Sequence, residues 1–435
     1  MINIRSLRYI AVLAICFLSA SLFNVTTKSR NYSESFPALV CPPSLEGLSS
    51  QLSVANSQVK YQGLTNRSTK MTSFRTTRFA LTNGAIVVNA EGITPVVWES
   101  RPGNWSGGAL CAGPQISQWF VGGSANVTSR GHLIVANSGL SDAIVDIQVY
   151  SEKGKQPLKS ITLKSRSFKL IALDSLAPGD QALVVKVAPR SGRINSFMVD
   201  EKGAGLRSLG GDLVNPYAAP SKDVTIPAIP NQIQKNGKNS SAHTLRILNP
   251  GSFDSDFTAE VLTSNGRFIP VELNTQSIPA GKVSEFKFSP EISAKVLAVH
   301  IKSQTPIVAA ISTSVTVGGH SDFLWSTGAP KLDAISLAIA GLTPVVVFAG
   351  DSISVQLTVT MNNGKKYSRH IKGTDIVTWK APANSRILTI DSTGKNTYAG
   401  AIISSVNGYG YIPLQAGSDL ARVEEPSSNI RVLIP

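Results

Sequence analysis

Gly350-Asp351-Ser352 carries the residue types of a hydrolase nucleophile turn, in which glycine permits a sharp bend and the serine hydroxyl attacks a carbonyl. That chemistry needs the serine on a strand-to-helix turn, with a remote Asp-x-x-His pair to activate it. The residues after Ser352 alternate as a strand does, so a cryptic serine hydrolase is the remotest functional reading. Ser392-Thr393-Gly394-Lys395 has the Ser-x-x-Lys spacing of penicillin-recognising enzymes, but it falls in a predicted hairpin loop and lacks a Lys-Thr-Gly partner. The five histidines (His132, His243, His300, His320 and His370) form no HExxH or His-x-His pair that would place two imidazoles on one metal. His132 and His243 open equivalent strands, which suggests a structural register. No glycine loop followed by Lys-Ser/Thr supports nucleotide binding. The sequence therefore assigns no catalytic, cofactor-binding or metal residue. The expectation is a protein that is not an enzyme, takes no cofactor and has no small-molecule substrate.

Cysteines and tryptophans hold what chemistry is left. Cys16 lies in an apolar N-terminal run, which leaves Cys41 and Cys111 as a pair in the rest of the chain. Neither has a CxxC or CxxH neighbour, so a disulfide is expected there over zinc, with two free thiols as the alternative. Trp98, Trp105 and Trp379 are a candidate ligand platform, because exposed indoles stack on sugars or anchor peptides. For Trp119 and Trp325 a core or domain-junction position is favoured.

These residues need elements to hold them. The 435 residues exceed what one core accommodates, and 42% hydrophobic with 16% charged residues describes a folded chain. Val-, Ile- and Thr-rich alternating runs separated by most of the 35 Gly and 24 Pro favour strands and turns. The net charge of +14 admits anionic cell-wall polymers or envelope proteins as partners. Its Lys and Arg are scattered and form no basic block interleaved with aromatics, so nucleic acid is not expected.

Arg5 and Arg8 precede an apolar run over residues 9–25, followed by Lys28 and Arg30. Its length suits a membrane helix, and Ser19-Ala20-Ser21 would suit signal cleavage. The expected localisation is the cell membrane, with a cytoplasmic N-terminus and an extracytoplasmic body, or secretion if the signal is cleaved.

Internal similarity organises the body. His132-Leu133-Ile134-Val135-Ala136-Asn137, Thr244-Leu245-Arg246-Ile247-Leu248-Asn249 and Thr343-Pro344-Val345-Val346-Val347-Phe348 each lead into a second alternating strand. Those strands end on turn glycines, Gly154, Gly266 and Gly364. The repeat of about 100 residues is too long for propeller blades or solenoid units, and six or seven short strands per unit match a sandwich of immunoglobulin size. The expected fold is all-β, with tandem immunoglobulin-like β-sandwich units after an N-terminal membrane helix. Its segments are a signal region (1–30), a divergent β region (31–123), unit 1 (124–215), a linker (216–242), unit 2 (243–330) and unit 3 (331–435). Gly210-Gly211, Gly318-Gly319 and Gly408-x-Gly410 are read as turns closing the units.

Cys41-Pro42, Gly107-Gly108-Ala109-Leu110-Cys111-Ala112-Gly113-Pro114, Trp119-Phe120-Val121-Gly122-Gly123 and Leu133-Ile134-Val135-Ala136-Asn137 together resemble an actinobacterial family of exported, membrane-anchored proteins of unknown function. The resemblance implies a cell-envelope setting and supplies no catalytic residues. The function expected is a non-enzymatic envelope scaffold or binding protein, with a carbohydrate-binding accessory module as the alternative.

Overall fold

The computed structural model describes residues 38–66, 68, 70–82, 84–205, 207–232 and 242–418. Among the described residues there are strands and two short 3-10 turns but no α-helix. The strands fall into four successive repeats. The first holds β1 (Leu39–Cys41), β2 (Ser49–Ser53), β3 (Lys60–Gly63), β4 (Thr72–Ser73), β5 (Arg78–Leu81), β6 (Ile86–Asn89), β7 (Thr94–Arg101) and β8 (Trp105–Leu110). The second holds β9 (Gln118–Val121), β10 (His132–Asn137), β11 (Ala143–Ser151), β12 (Gly154–Lys155), β13 (Lys159–Leu163), β14 (Ser167–Ala172), β15 (Leu183–Ser191), β16 (Ile194–Ala204) and β17 (Arg207–Val214). The third holds β18 (Ser221–Pro230), β19 (His243–Leu248), β20 (Ser255–Thr263), β21 (Gly266–Phe268), β22 (Gln276–Ile278), β23 (Val283–Phe288), β24 (Val296–Val317) and β25 (His320–Thr327). The fourth holds β26 (Ile335–Ala338), β27 (Val345–Met361), β28 (Lys366–Lys380), β29 (Ser385–Thr393), β30 (Tyr398–Ser404) and β31 (Tyr409–Pro413).

All four repeats share one strand order. One sheet of each runs β5-β2-β7-β8, β14-β10-β16-β17 or β23-β19-β24-β25, and the other runs β4-β3-β6-β1, β13-β11-β15-β9 or β22-β20-β24-β18. In the fourth repeat, long strands serve both sheets. The first part of β27 pairs β30, its second part pairs β29, and β28 follows it along both. Apolar residues at alternate positions of both sheets meet between them, as Leu245 and Ile247 of β19 do with Val261 of β20 and Val299 of β24. Pro306, which has no N–H to donate, marks where β24 passes from one sheet to the other. Gly350-Asp351-Ser352 marks the same crossing in β27, where the register with β28 shifts between Gly350 and Ile353.

Four expectations change. In this order, as the first repeat shows with eight strands, the first strand pairs with the sixth (β1 with β6) and the seventh with the second (β7 with β2), unlike the immunoglobulin partition that groups strands one, two, four and five. The segment 216–242, read as a linker, contains β18, which pairs with β24 over residues 296–307 and belongs to the third repeat. Likewise β9 pairs with β15 and belongs to the second repeat, not to the region ending at 123. Both strands find partners more than sixty residues away, beyond the reach of local pattern. The region read as a divergent β segment is a fourth copy of the same fold.

The expected hairpin turns are present. Gly154, Gly266 and Gly364 have φ of +119°, +119° and +82°, a region open to glycine without a Cβ clash. Asn137 and Asn249 end β10 and β19 with the same side-chain turn, each Oδ1 accepting from the N–H two residues on, at 2.9 and 3.0 Å.

The last strands of the repeats, β8, β17, β25 and β31, pack in sequence, and β31 packs back on β8, so the four repeats close into a ring. The pair β26–β7 adds a parallel contact between the fourth and first repeats. Each joint carries an aromatic side chain. Trp105 lies against Gly211, where a Cβ would come within 2.8 Å of the indole, and Trp98 lies against Gly410, where it would come within 2.7 Å. Trp325 Nε1 donates to Asp200 at 2.9 Å, and the Tyr411 hydroxyl donates to the Thr327 carbonyl at 2.8 Å. The glycines at 210–211 and 410 are therefore positions of close approach inside axis strands, whereas Gly318-Gly319 is the expected turn, joining β24 to β25.

Cys41 and Cys111 form a disulfide (S–S 2.04 Å) that joins the two sheets of the first repeat, as expected. The expected membrane localisation is corrected. Among the described residues no helix is long and apolar enough to cross a membrane. The run over residues 9–25, and with it the proposed cleavage point, lies outside the described residues.

Candidate functional site

At one end of the ring, the segments that leave the four axis strands converge. They are short and rich in small residues (Ala112-Gly113-Pro114, Ala218-Ala219-Pro220, Gly328-Ala329-Pro330 and Gln415-Ala416-Gly417), so they leave space between them. Ala112, Ala218, Ala329 and Ala416 come from the four segments and line a cavity of about 820 Å³. Asn215 ties the floor together, with its Nδ2 donating to the carbonyls of Gly108 at 3.0 Å and Tyr411 at 2.9 Å.

One wall is the outward face of the third repeat. Period-two alternation puts Asp223 and Thr225 of β18, Glu260 of β20, and His300 and Lys302 of β24 on that face. Thr225 Oγ1 lies 3.0 Å from His300 Nδ1, and His300 Nε2 lies 3.7 Å from Asp223 Oδ1. Tyr398 hydrogen-bonds the same threonine, and burial pushes its phenol up. Arg267 reaches Asp351 at 2.9 Å and Glu260 at 3.5 Å and also pairs with Asp375, bonds that hold its guanidinium above its ordinary value. Tyr217 lines the cavity half-buried, packed against the apolar cores of the second and third repeats, with its hydroxyl buried against Gly328, and burial drives that phenol far up. Ser196 Oγ, in β16 of the second repeat beside the cavity, is buried and makes no hydrogen bond within the protein.

The Thr225–His300–Asp223 chain has the residue types of a nucleophile relay, but Thr225 is only 2% exposed and its hydroxyl is already shared by His300 and Tyr398. Glu260 and Asp351 are both held by Arg267, the reverse of the apolar surroundings that keep a carboxylic acid protonated for glycoside chemistry.

The residues singled out from sequence lie elsewhere. Trp105 is fully buried and Trp98 is 7% exposed, both at ring joints, and Trp379 is half-buried against the fourth repeat's core, so the three make no platform. Bulky indoles are drawn to joints because the close approach of axis strands there gives them the largest apolar contact. Trp119 and Trp325 are buried in the core and at a joint, as expected. Ser352 sits in the β27 bulge. The neighbouring His370 bonds Ser354, at 3.0 Å, and Asp351 is taken by Arg267, so no relay forms on Ser352. His132 and His243 do open equivalent strands. His243 is buried, stacked on Phe288 and bonded to Thr313 at 3.0 Å, and burial lowers it to about 4. Among the described residues no group of three His, Cys, Asp or Glu could hold a metal ion. Tyr217, Tyr398, Asp223, Thr225, His300 and Arg267 were not singled out as a site. The recurring small-residue segments, three of which end in proline, mark the end of the ring in the sequence, but these side chains lie outside them.

Residues 96–372 match the model of a family of unknown function, DUF5719. The chain belongs to that family. DUF5719 thus spans the end of the first repeat through β28, and no curated protein matches this member in sequence. Among solved structures, Thermotoga maritima 1070 is 15% identical over 25% of this chain and 93% of its own, with a TM-score of 0.19. A Streptomyces avermitilis α-L-rhamnosidase complexed with L-rhamnose is 10% identical over 83% of this chain and 54% of its own, with a TM-score of 0.14. A tetra-tandem repeat from the extending region of a large adhesion protein is 12% identical over 84% and 92%, with a TM-score of 0.09. At these scores neither fold nor function carries over.

Proposed function

We propose that this DUF5719 protein is a non-enzymatic binding protein that seats its ligand in the cavity at the end of the ring. The observation that supports this is the contribution of all four repeats to one cavity of about 820 Å³ with a mixed polar and apolar lining, within the size range of small-molecule sites. The crowded Thr225 hydroxyl and the arginine-bound carboxylates favour holding over turnover. On the outer strand β28, Lys366, Arg369 and Lys372 are exposed. They support general attraction to anionic polymers and are separate from the seat.

The test uses ligand-observed NMR with a panel of amino acids, mononucleotides, inorganic phosphate and small sugars, together with Ala219→Trp, which fills the cavity from an exposed wall position. Binding of at least one compound that the variant abolishes is the expected result. Binding of none, or His300-dependent turnover of chromogenic esters or glycosides, overturns the proposal.

A further inference from the structure

We infer that the cavity at the end of the ring recognises a neutral carbohydrate, with the ring faces of Tyr217 and Tyr398 as its apolar platforms. This rests on the reading of the cavity as a ligand seat and names the class of ligand. Charge decides first. The chain carries +14, yet the cavity wall holds Arg267, Lys302 and Lys331 against Asp223, Glu260 and Asp351. Three cations face three carboxylates, so the wall has no formal net charge. A seat for a phosphate or an acidic polymer would concentrate the positive excess that the rest of the molecule displays.

Shape and chemistry decide second. A pyranose has faces of C–H groups and a rim of hydroxyls, each of which both donates and accepts. The half-buried Tyr217 and Tyr398 line the cavity and would offer flat apolar surface beside the charged groups of its wall. The paired charges around Arg267 and His300 offer donors and acceptors side by side, the arrangement a hydroxyl can satisfy in both directions. A purely apolar ligand would strip water from these charges and return no hydrogen bond, at a cost that disfavours it.

The experiment is saturation-transfer NMR on the full-length chain with chitotriose, mannotriose, xylotriose and maltotriose as neutral probes. Trigalacturonate and inorganic phosphate are the anionic comparisons. At least one neutral trisaccharide should bind. Tyr398→Ala should weaken it tenfold or more, Tyr398→Phe, which keeps the ring, by less, and Ala219→Trp should abolish it. If Tyr398→Ala does not fold, Ala219→Trp and Tyr398→Phe carry the test. Binding of no neutral probe overturns the inference, as does binding that Ala219→Trp leaves unchanged. Preference for trigalacturonate or phosphate, lost in Lys302→Ala or Lys331→Ala, overturns the carbohydrate class while leaving the cavity a ligand seat. Absence of any compound from the cavity across the broader panel overturns both.

Discussion

Asp322 holds strands of two other repeats through one carboxyl group. Its Oδ1 accepts from Gly211 N at 3.2 Å and its Oδ2 from Tyr409 N at 3.4 Å. Burial pushes this carboxyl up to about 8 and the fully buried Glu99 up to about 7. Unfolded carboxyls titrate near 4, roughly, so between that pH and the folded values the folded state holds protons that the unfolded chain has released. Their contribution to stability is complete below about pH 4 and is lost as pH rises toward 8. Urea unfolding followed across this range should show stability falling by about 1.4 kcal/mol per pH unit for each such group. Glu99→Gln, which resembles the protonated form, should remove part of that slope below about pH 7. A slope unchanged by the substitution would contradict the assignment. Gly266, also at residue scale, has φ +119° and open space around its Cβ position. Gly266→Val should therefore cost about 1 kcal/mol or more through backbone strain alone, with hydrogen exchange lost first in the β20–β21 hairpin.

Axis strands face the opposite constraint, where space and not φ is limiting. A Cβ on Gly107 of β8 would lie 2.6 Å from both Asp212 Oδ1 and the Leu213 nitrogen. Backbone is fixed there, so Gly107→Val should destabilise by about 3 kcal/mol, more than Gly266→Val, in denaturant midpoints. At the same scale, the Cys41–Cys111 bridge closes a separation of 70 residues between β1 and the end of β8. Loop-closure entropy puts its contribution at about 4 kcal/mol, so paired Cys41→Ala and Cys111→Ala should lower the midpoint strongly. Non-reducing peptide mapping that recovers both thiols free would count against the bridge.

Ring closure makes the whole molecule the folding unit. Trp98, Val96 and Leu110 of the first repeat belong to the same apolar cluster as Phe348, Leu388 and Ile412 of the fourth. Truncation after residue 330 removes that shared core and exposes both ends of the opened ring. The intact chain should unfold in one calorimetric transition, and the truncated chain should lose cooperativity and aggregate. Separate transitions in the intact chain, unchanged by truncation, would show instead that the repeats stand alone as beads.

Local pattern determined a great deal. Alternation around residues 132–137, 244–248 and 355–361 specified strands, the spacing of Gly154, Gly266 and Gly364 exposed the repeat, and two cysteines specified their bridge. These signals are local or elementary, because a pleated strand with one buried face must alternate and a turn at positive φ selects glycine. Tertiary structure alone decided the rest. The partners of β9 and β18 lie too far along the chain for periodicity to reveal. A glycine at 211 reads like a turn until Trp105 is seen lying on it. The cavity residues carry no shared motif because they come from different repeats and meet only when β31 packs against β8. A site made by closing a ring is a property of that closure, and no single segment of the sequence contains it.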